Sequence, residues 1–300
     1  PNHGRVMKKE FSVFGYKFNT TMTFTMLGIC LSLFLVLLGL DLNGHHVSWY
    51  GVLTGTGFLV ALILCTKFSV HRGLDGDFFY DLIWFVFPLA IIGARLHYVL
   101  CSPDEFNSFY DVIAIWNGGQ GIYGGIIGGA IGLVICCLIK KKNILSTMDV
   151  VAPTLILAQS IGRWGNFINK EVYGREITNK MFQWFPAGVN IDGTWHMATF
   201  FYESVWDLIG FFVLWAILRK CNNRGIVASS YIVFYGVGRF FLEGLREVKY
   251  ILFIPGTQIA VSQFISIVCV VVGVIGIVAS LIVNNKKKRC ENECEEDTSI

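Results

Sequence analysis

Three observations in the sequence predict an all-α, polytopic membrane protein, a helix bundle of about eight transmembrane helices with a structured extracytoplasmic loop. Hydrophobic residues make up 54% of the 300 and charged residues only 15%, with a mean hydropathy of +0.58. A soluble domain carries about 25% charged residues. The apolar residues come in blocks, most of them near the roughly 20 residues a helix needs to cross the hydrocarbon. Lys and Arg gather in every second connection, as they do in cytoplasmic loops. A β-barrel would instead show ten-residue segments of alternating polarity.

The candidate spans lie near 21–40, 50–68, 81–101, 121–139, 148–168, 203–218, 228–245 and 259–283, the sixth being the shortest. Arg5, Lys8, Lys9 and Lys17 precede the first, Lys67 and Arg72 flank the start of the third, and Lys140 to Lys142 follow the fourth. Arg219, Lys220 and Arg224 follow the sixth, and Lys286 to Arg289 the last; the connections at 41–49 and 102–120 hold no Lys or Arg. Both termini are therefore expected in the cytoplasm. The segment 1–20 is a basic cytoplasmic lead, 21–283 a single membrane domain, and 284–300 a charged cytoplasmic tail expected to be disordered. The loop 169–202 falls outside and is too long for a simple turn. No cleavable signal peptide is visible. Cys30, Cys65, Cys136, Cys137 and Cys269 sit in apolar blocks without metal-like spacing and read as small buried residues.

Orientation makes depth calculable. Arg95 lies fourteen residues along the third span, about 21 Å at 1.5 Å per residue, and Arg163 about 22 Å along the fifth. Arg239 is about 15 Å along the seventh, and Tyr123 is near the outer end of the inward-running fourth. Four polar residues on four spans thus converge between mid-membrane and the outer face. An Arg at the bilayer centre costs roughly 2.5–3.5 kcal/mol on insertion scales, so something must offset it. A bound anion would.

Three patterns could carry chemistry. SIGRWGNFINKEVYG, 160–174, places Arg163 and Asn166 on one helical face; a guanidinium fork suits a phosphate and Asn can add neutral hydrogen bonds. Without a ligand the same residues could simply cap and solvate a helix end. Tyr235, Arg239, Glu243 and Arg246, spaced 4, 4 and 3, form one stripe in which Glu243 could orient Arg239, either for an anion or as a closed ion pair. GGQGIYGGIIGGAIG carries two interleaved small-xxx-small series, Gly121/Gly125/Gly129 and Gly124/Gly128/Gly132, for close helix packing or for acyl-chain room. Tyr123 is its one large polar group, and alone would read as an interfacial anchor. Glu203 and Asp207 share a face, but carboxylates near a helix start are ordinary. No metal site is predicted: His45, His46, His71 and His97 lack ligand-type pairing. No phosphate-loop, hydrolase-elbow or nucleic-acid motif is present, and no cofactor is expected.

GRWGNFINKEVYGR at 162–175 resembles the signature of the prolipoprotein diacylglyceryl transferases. Further blocks resemble that family in order: SWYGVLTGTGF from Ser48, DLIWFVFPLAIIGARLHYVL from Asp81, the glycine block, HMATFFYESVWDLIGF from His196 and YGVGRFFLEGLRE from Tyr235. The likeness covers roughly 48–283. It implies a seven-span enzyme of the bacterial inner membrane, so the span at 21–40 would be an additional N-terminal one. It further implies transfer of a diacylglyceryl group from phosphatidylglycerol to the lipobox cysteine thiol of preprolipoproteins, with formation of a thioether and release of glycerol phosphate. By that resemblance Arg163 binds the lipid phosphate, Arg239 is a second essential cation and Glu243 positions it. Tyr50, Asn166, Glu171, Gly174, Tyr235 and His196 match family positions of function. One departure stands at Tyr123, where many relatives carry His. The phenol's ordinary pKa of about 10, against about 6.5 for His, leaves the group that takes the thiol proton open. The residues alone also allow a transporter of an anionic lipid, though no inverted repeat is evident, or a structural membrane subunit.

Overall fold

The computed structural model describes residues 10–13, 16–19, 49–106, 108–114, 118–119, 121–253, 257 and 259–297. Among them seven helices are long and apolar enough to cross a membrane: α1 Trp49–Phe68, α2 Phe78–Cys101, α3 Ile122–Ile139, α4 Ile144–Ile168, α5 Thr199–Lys220, α6 Ile226–Glu243 and α7 Val261–Asp297. The expected span at 21–40 lies outside the described residues. Ahead of it, β1 Glu10–Val13 pairs antiparallel with β2 Tyr16–Asn19.

Two sequence expectations change. The sixth candidate span is not short: α5 has 22 residues, because its N-terminal turn begins at Thr199 inside what composition assigned to the loop. Within the charged tail, residues 285–297 continue α7 as helix. Lys, Arg and Glu are good helix formers, and extending an existing helix avoids the nucleation penalty.

The chain divides into two compact units, one containing α2 and α3 (residues 73–147), the other α1 and the chain from 148 onward. In the first unit, α3 lies against α2 mainly through one glycine series, joined at its start by Gly121, where a Cβ would lie 2.0 Å from His97 Nδ1. A Cβ on Gly124 would lie 2.1 Å from Gly93 O, one on Gly128 2.1 Å from Leu89 O, and one on Gly132 2.6 Å from Phe85 O. At Gly125 and Gly129 the nearest atoms would be 3.5 and 3.7 Å away, which is ordinary contact. The 124/128/132 series is therefore a close-packing face. At the other end of the pair Lys140 meets Asp81 at 2.7 Å.

In the second unit, Asp149 on α4 ties four elements together. It accepts from Arg72 Nε at 2.9 Å, beyond α1, and from Gly225, Val227 and Ala228 N–H at 2.8, 3.0 and 3.0 Å at the start of α6. Arg72 also donates to Leu218 O on α5. A carboxylate at a helix N-terminus satisfies donors that no helical carbonyl reaches. Glycines again allow close approach: Gly57 on α1 faces Ala158 on α4, and Gly273 on α7 faces Ser229 on α6. Thr54 and Thr56 in α1 return their hydroxyls to carbonyls four residues back, so neither presents an unmet donor to lipid.

The loop between α4 and α5 is structured, as its length implied. β3 Gly188–Ile191 pairs antiparallel with β4 Thr194–Met197. Residues 174–177 run along β4, with Gly174 N donating to Met197 O at 3.0 Å and Ile177 N to Trp195 O at 2.7 Å. Val189, Ala198 and Phe200 form its small core.

Candidate active site

The polar residues of α4, α5 and α6 meet in one buried cluster. Glu203, on the second turn of α5, is its centre. Arg246 donates to Glu203 Oε1 from NH2 at 2.7 Å and from Nε at 3.2 Å. Arg163 Nε on α4 lies 2.8 Å from Glu203 Oε2 and 3.9 Å from Asp207 Oδ2. Arg239 on α6 lies 3.8 Å from Glu203 Oε1 through NH1 and 2.9 Å from Glu243 Oε2 through NH2. Arg246 Nε is 3.6 Å from Glu243 Oε2. Three guanidinium groups thus face three carboxylates, and the formal charges balance. That balance is the usual condition for ionised groups in an apolar surround.

The three arginines are not equivalent. The Arg246 side chain is 8% exposed, whereas Arg163 and Arg239 retain 23% and 21%. Both of the latter line a narrow cleft with a free volume of about 10 Å³, room for about one water, together with Glu203, Asp207, Tyr235 and Gly238. Arg163 makes its closest approach to both carboxylates through Nε. Among the described residues neither of its terminal nitrogens, the fork that matches an oxyanion, makes a hydrogen bond. Three buried polar atoms of this cluster, Arg163 Nε, Asp207 Oδ2 and Glu243 Oε2, also lack an aligned hydrogen bond. Such atoms are rare in protein interiors, and a cluster of them beside a cleft marks a site organised around something other than its own stability.

The other sequence-predicted residues fall in three places. Tyr235 lines the cleft one turn before Arg239, its ring stacked at 6.0 Å on Tyr231. Tyr50 lies beside α4, where a Cβ on Gly165 would meet its ring at 2.4 Å. Asn166, Glu171, Gly174 and His196 shape the turn leaving α4 and do not line the cleft. Asn166 and Asn169 amides approach Glu171 Oε1 at 3.4 and 3.3 Å. His196 Nδ1 donates to Gly174 O at 3.1 Å, and its ring packs 4.4 Å from Tyr173. Gly174 is required by space, since a Cβ there would lie 2.6 Å from Met197 Cβ. Lys249 closes this region, donating to Tyr173 OH at 2.5 Å and pairing with Glu247 at 3.1 Å. The Tyr173 hydrogen bond, then Glu247, hold its ammonium above the usual lysine range.

Tyr123 belongs to the α2–α3 unit, where its ring faces His97 at 6.0 Å. Arg95, in the same unit, is not held by an anion. Its guanidinium donates to five carbonyls, those of Asp111, Val112, Ala114, Gly118 and Gly119. Arg163 and Arg239 thus share one cluster, while Arg95 is satisfied by carbonyls of its own unit. Residue patterns underweighted Glu203, Asp207 and Arg246. The available signal was the i, i+4 carboxylate pair at the head of a span, with an arginine three residues past Glu243.

Seven membrane-crossing helices with a charged cleft among three of them define a polytopic integral membrane protein. The sequence profile of the prolipoprotein diacylglyceryl transferases matches residues 35–279. The chain is 40% identical to phosphatidylglycerol–prolipoprotein diacylglyceryl transferase 1 of Clostridium perfringens over 256 residues, 83% of this chain and 95% of the relative. It is 40% identical to the Streptococcus uberis enzyme of that name over 246 residues, covering 80% and 93%. The Streptococcus agalactiae enzyme is 38% identical over 242 residues, covering 79% and 93%. The chain belongs to the prolipoprotein diacylglyceryl transferase family.

Proposed function

We infer from the family and the cleft that this chain is a transferase of the bacterial cell membrane: it moves the diacylglyceryl group of phosphatidylglycerol to prolipoprotein, the first step of lipoprotein maturation. The finer reading is that the acceptor is the lipobox cysteine thiol, that a thioether forms and that glycerol phosphate leaves. Its main support is the meeting of Arg163 and Arg239 at one cleft, with no hydrogen bond from the Arg163 terminal nitrogens among the described residues.

A phosphodiester carries one negative charge. When the thiol sulfur attacks the diacylglyceryl carbon, the carbon–oxygen bond breaks and the leaving phosphate monoester gains a second charge. Two fixed guanidinium groups in a partly dry cleft stabilise that added charge more than water does. Arg163 takes the phosphate, Arg239 the developing charge, and Glu243 and Glu203 hold Arg239 in place. A cation near the thiol also favours its thiolate, the attacking form. Tyr235 stands at the cleft wall for the headgroup. Tyr50, Asn166, Glu171, Gly174 and His196 bind substrate through the wall and turn they shape, and Tyr123 takes part in the proton step. The cleft opens toward the outer leaflet, both termini face the cytoplasm, 169–198 lies outside, and 1–20 and 284–300 flank the membrane domain.

Incubating the purified chain with phosphatidylglycerol and a lipobox peptide should add the mass of one diacylglyceryl group to the peptide cysteine. An unchanged peptide with an intact chain would refute the assignment. Tyr123→Phe should lower turnover far more than lipid binding, and equal turnover would remove Tyr123 from the proton step.

A further inference from the structure

The loop between α4 and α5 carries a patch that the transfer chemistry leaves unused. Met181, Phe182, Trp184 and Phe185 are each more than half exposed, four large apolar side chains within five residues. A loop standing in water turns its polar groups outward. Here several of them bond within the turn itself. Asn179 Oδ1 accepts from Met181 N at 3.0 Å, Gln183 Nε2 donates to Ile177 O at 2.9 Å, and Trp184 Nε1 donates to Met181 O at 2.9 Å. The turn thus satisfies its own polar atoms and presents an apolar face.

The position of that face identifies what covers it. The Phe185 ring sits edge-on against Phe201 at 5.1 Å, in the first turn of α5, and Phe201 in turn meets Trp164 near the end of α4 at 6.3 Å. The patch therefore lies level with the ends of two spanning helices, the depth at which Trp and flanking basic residues collect. Half-buried Phe201 also stands at the head of an exposed stripe down α5, Val205, Leu208 and Phe212, at helical spacings of four, three and four. That stripe faces lipid in any chain that α5 crosses as a span. The patch continues it upward without a polar break. Lys180, exposed beside it, suits an anionic headgroup.

We propose that Met181, Phe182, Trp184 and Phe185 insert into the membrane interface beside the N-terminal end of α5, with Lys180 at headgroup level, so that the bilayer itself holds the α4–α5 loop. This rests on α5 spanning the membrane and not on the transferase reading. The test uses the full chain in vesicles of phosphatidylglycerol and phosphatidylcholine, with and without lipid brominated near the glycerol end of its acyl chains. The chain has eight tryptophans, so the Trp184 signal is read as the difference between the unchanged chain and Trp184→Phe. That signal should be quenched by brominated lipid and insensitive to aqueous iodide. In a folded Phe182→Ser, Phe185→Ser double variant it should lose most of its lipid quenching and become open to iodide. Iodide quenching without lipid quenching in the unchanged chain would overturn the proposal. So would protection that arises only when a lipobox peptide is added, since the patch would then be a peptide-docking surface. Transfer activity is not needed to read either result.

Discussion

Arg95 and Arg163 lie at nearly the same depth by residue count, yet they are held in opposite ways. Arg95 places Nε, NH1 and NH2 on five carbonyls at 2.5–3.2 Å and is 8% exposed. Arg163 lies closest to two carboxylates through Nε, makes no hydrogen bond from its terminal nitrogens among the described residues, and lines a cleft. A guanidinium surrounded by fixed carbonyl dipoles has nothing left to offer a ligand, so its work is to fix residues 111–114 and 118–119 on α2. One with open donors beside buried, poorly aligned carboxylates is held ready for a further partner. Depth in a membrane does not by itself distinguish structural from functional arginines; the number of donors left open does.

The sharpest way to break this contrast is to remove each arginine in turn. Arg163→Ala and Arg239→Ala should each lower transfer by about 10²-fold or more, as loss of a preorganised donor to a developing anion does. Lysine at either position should rescue little, because a point charge does not reproduce the fork. Both variants should fold. Arg95→Ala should do the reverse: thermal unfolding in detergent should show a loss of at least about 3 kcal/mol, since several buried carbonyls lose their donor. The folded fraction should retain its rate. A normal melting profile with lost activity for Arg95→Ala would erase the distinction.

Glu203 tests the other half of the cluster. It is 5% exposed and faces Arg163, Arg239 and Arg246 together. Glu203→Gln keeps the shape and removes the charge that balances them, which should destabilise by about 3–5 kcal/mol. Melting and single-turnover rate should fall together, unlike either arginine variant. In the α2–α3 unit the comparison is steric. Gly128→Ala places a methyl 2.1 Å from Leu89 O and should cost about 1–3 kcal/mol, while Gly125→Ala, 3.5 Å from Ala94 Cβ, should stay within about 0.5 kcal/mol. Chemical denaturation of the two variants decides it.

These cases show what was legible in residue order. The helices were, because apolar blocks of membrane length admit little else. Arg163 and Arg239 were, because each interrupts such a block at a calculable depth. Which glycine series packs was not: both have the spacing, and the choice depends on how α3 is rotated against α2. Arg95's partners were invisible because backbone carbonyls carry no residue signature. Glu203 was visible as a letter but not as a hub, since a carboxylate near a helix start has an ordinary explanation. Only the meeting of α4, α5 and α6 brings three arginines to it. The helical tail was missed because charge-rich composition was weighed without the helix that precedes it.

The smallest expected effect lies in the turn that delivers Arg163's helix into the loop. Lys170 and Val172 both adopt left-handed backbone, with φ of 52° and 55°. For a β-branched residue that conformation is a genuine outlier, costing of order 1–3 kcal/mol. It persists because its surroundings fix it: Val172 O accepts from Thr199 Oγ1 at 2.9 Å, and the Asn166 and Asn169 amides approach Glu171 Oε1 at 3.4 and 3.3 Å. No positive φ occurs within α2 or α3 among the described residues. Lys141, just past α3, shares the conformation at φ 52°, so what singles out the turn after α4 is a β-branched residue in it. Val172→Gly accepts the conformation freely but gains unfolded-state entropy, so the net should be a stabilisation of about 1 kcal/mol or less. If the strained turn serves only to connect, melting rises slightly and transfer is unchanged. If it aims the head of α5, and with it Glu203, at Arg163, the more stable variant turns over more slowly. The second outcome is the one expected here, because Thr199 is one helical turn from Glu203 and its hydroxyl is anchored on Val172 itself.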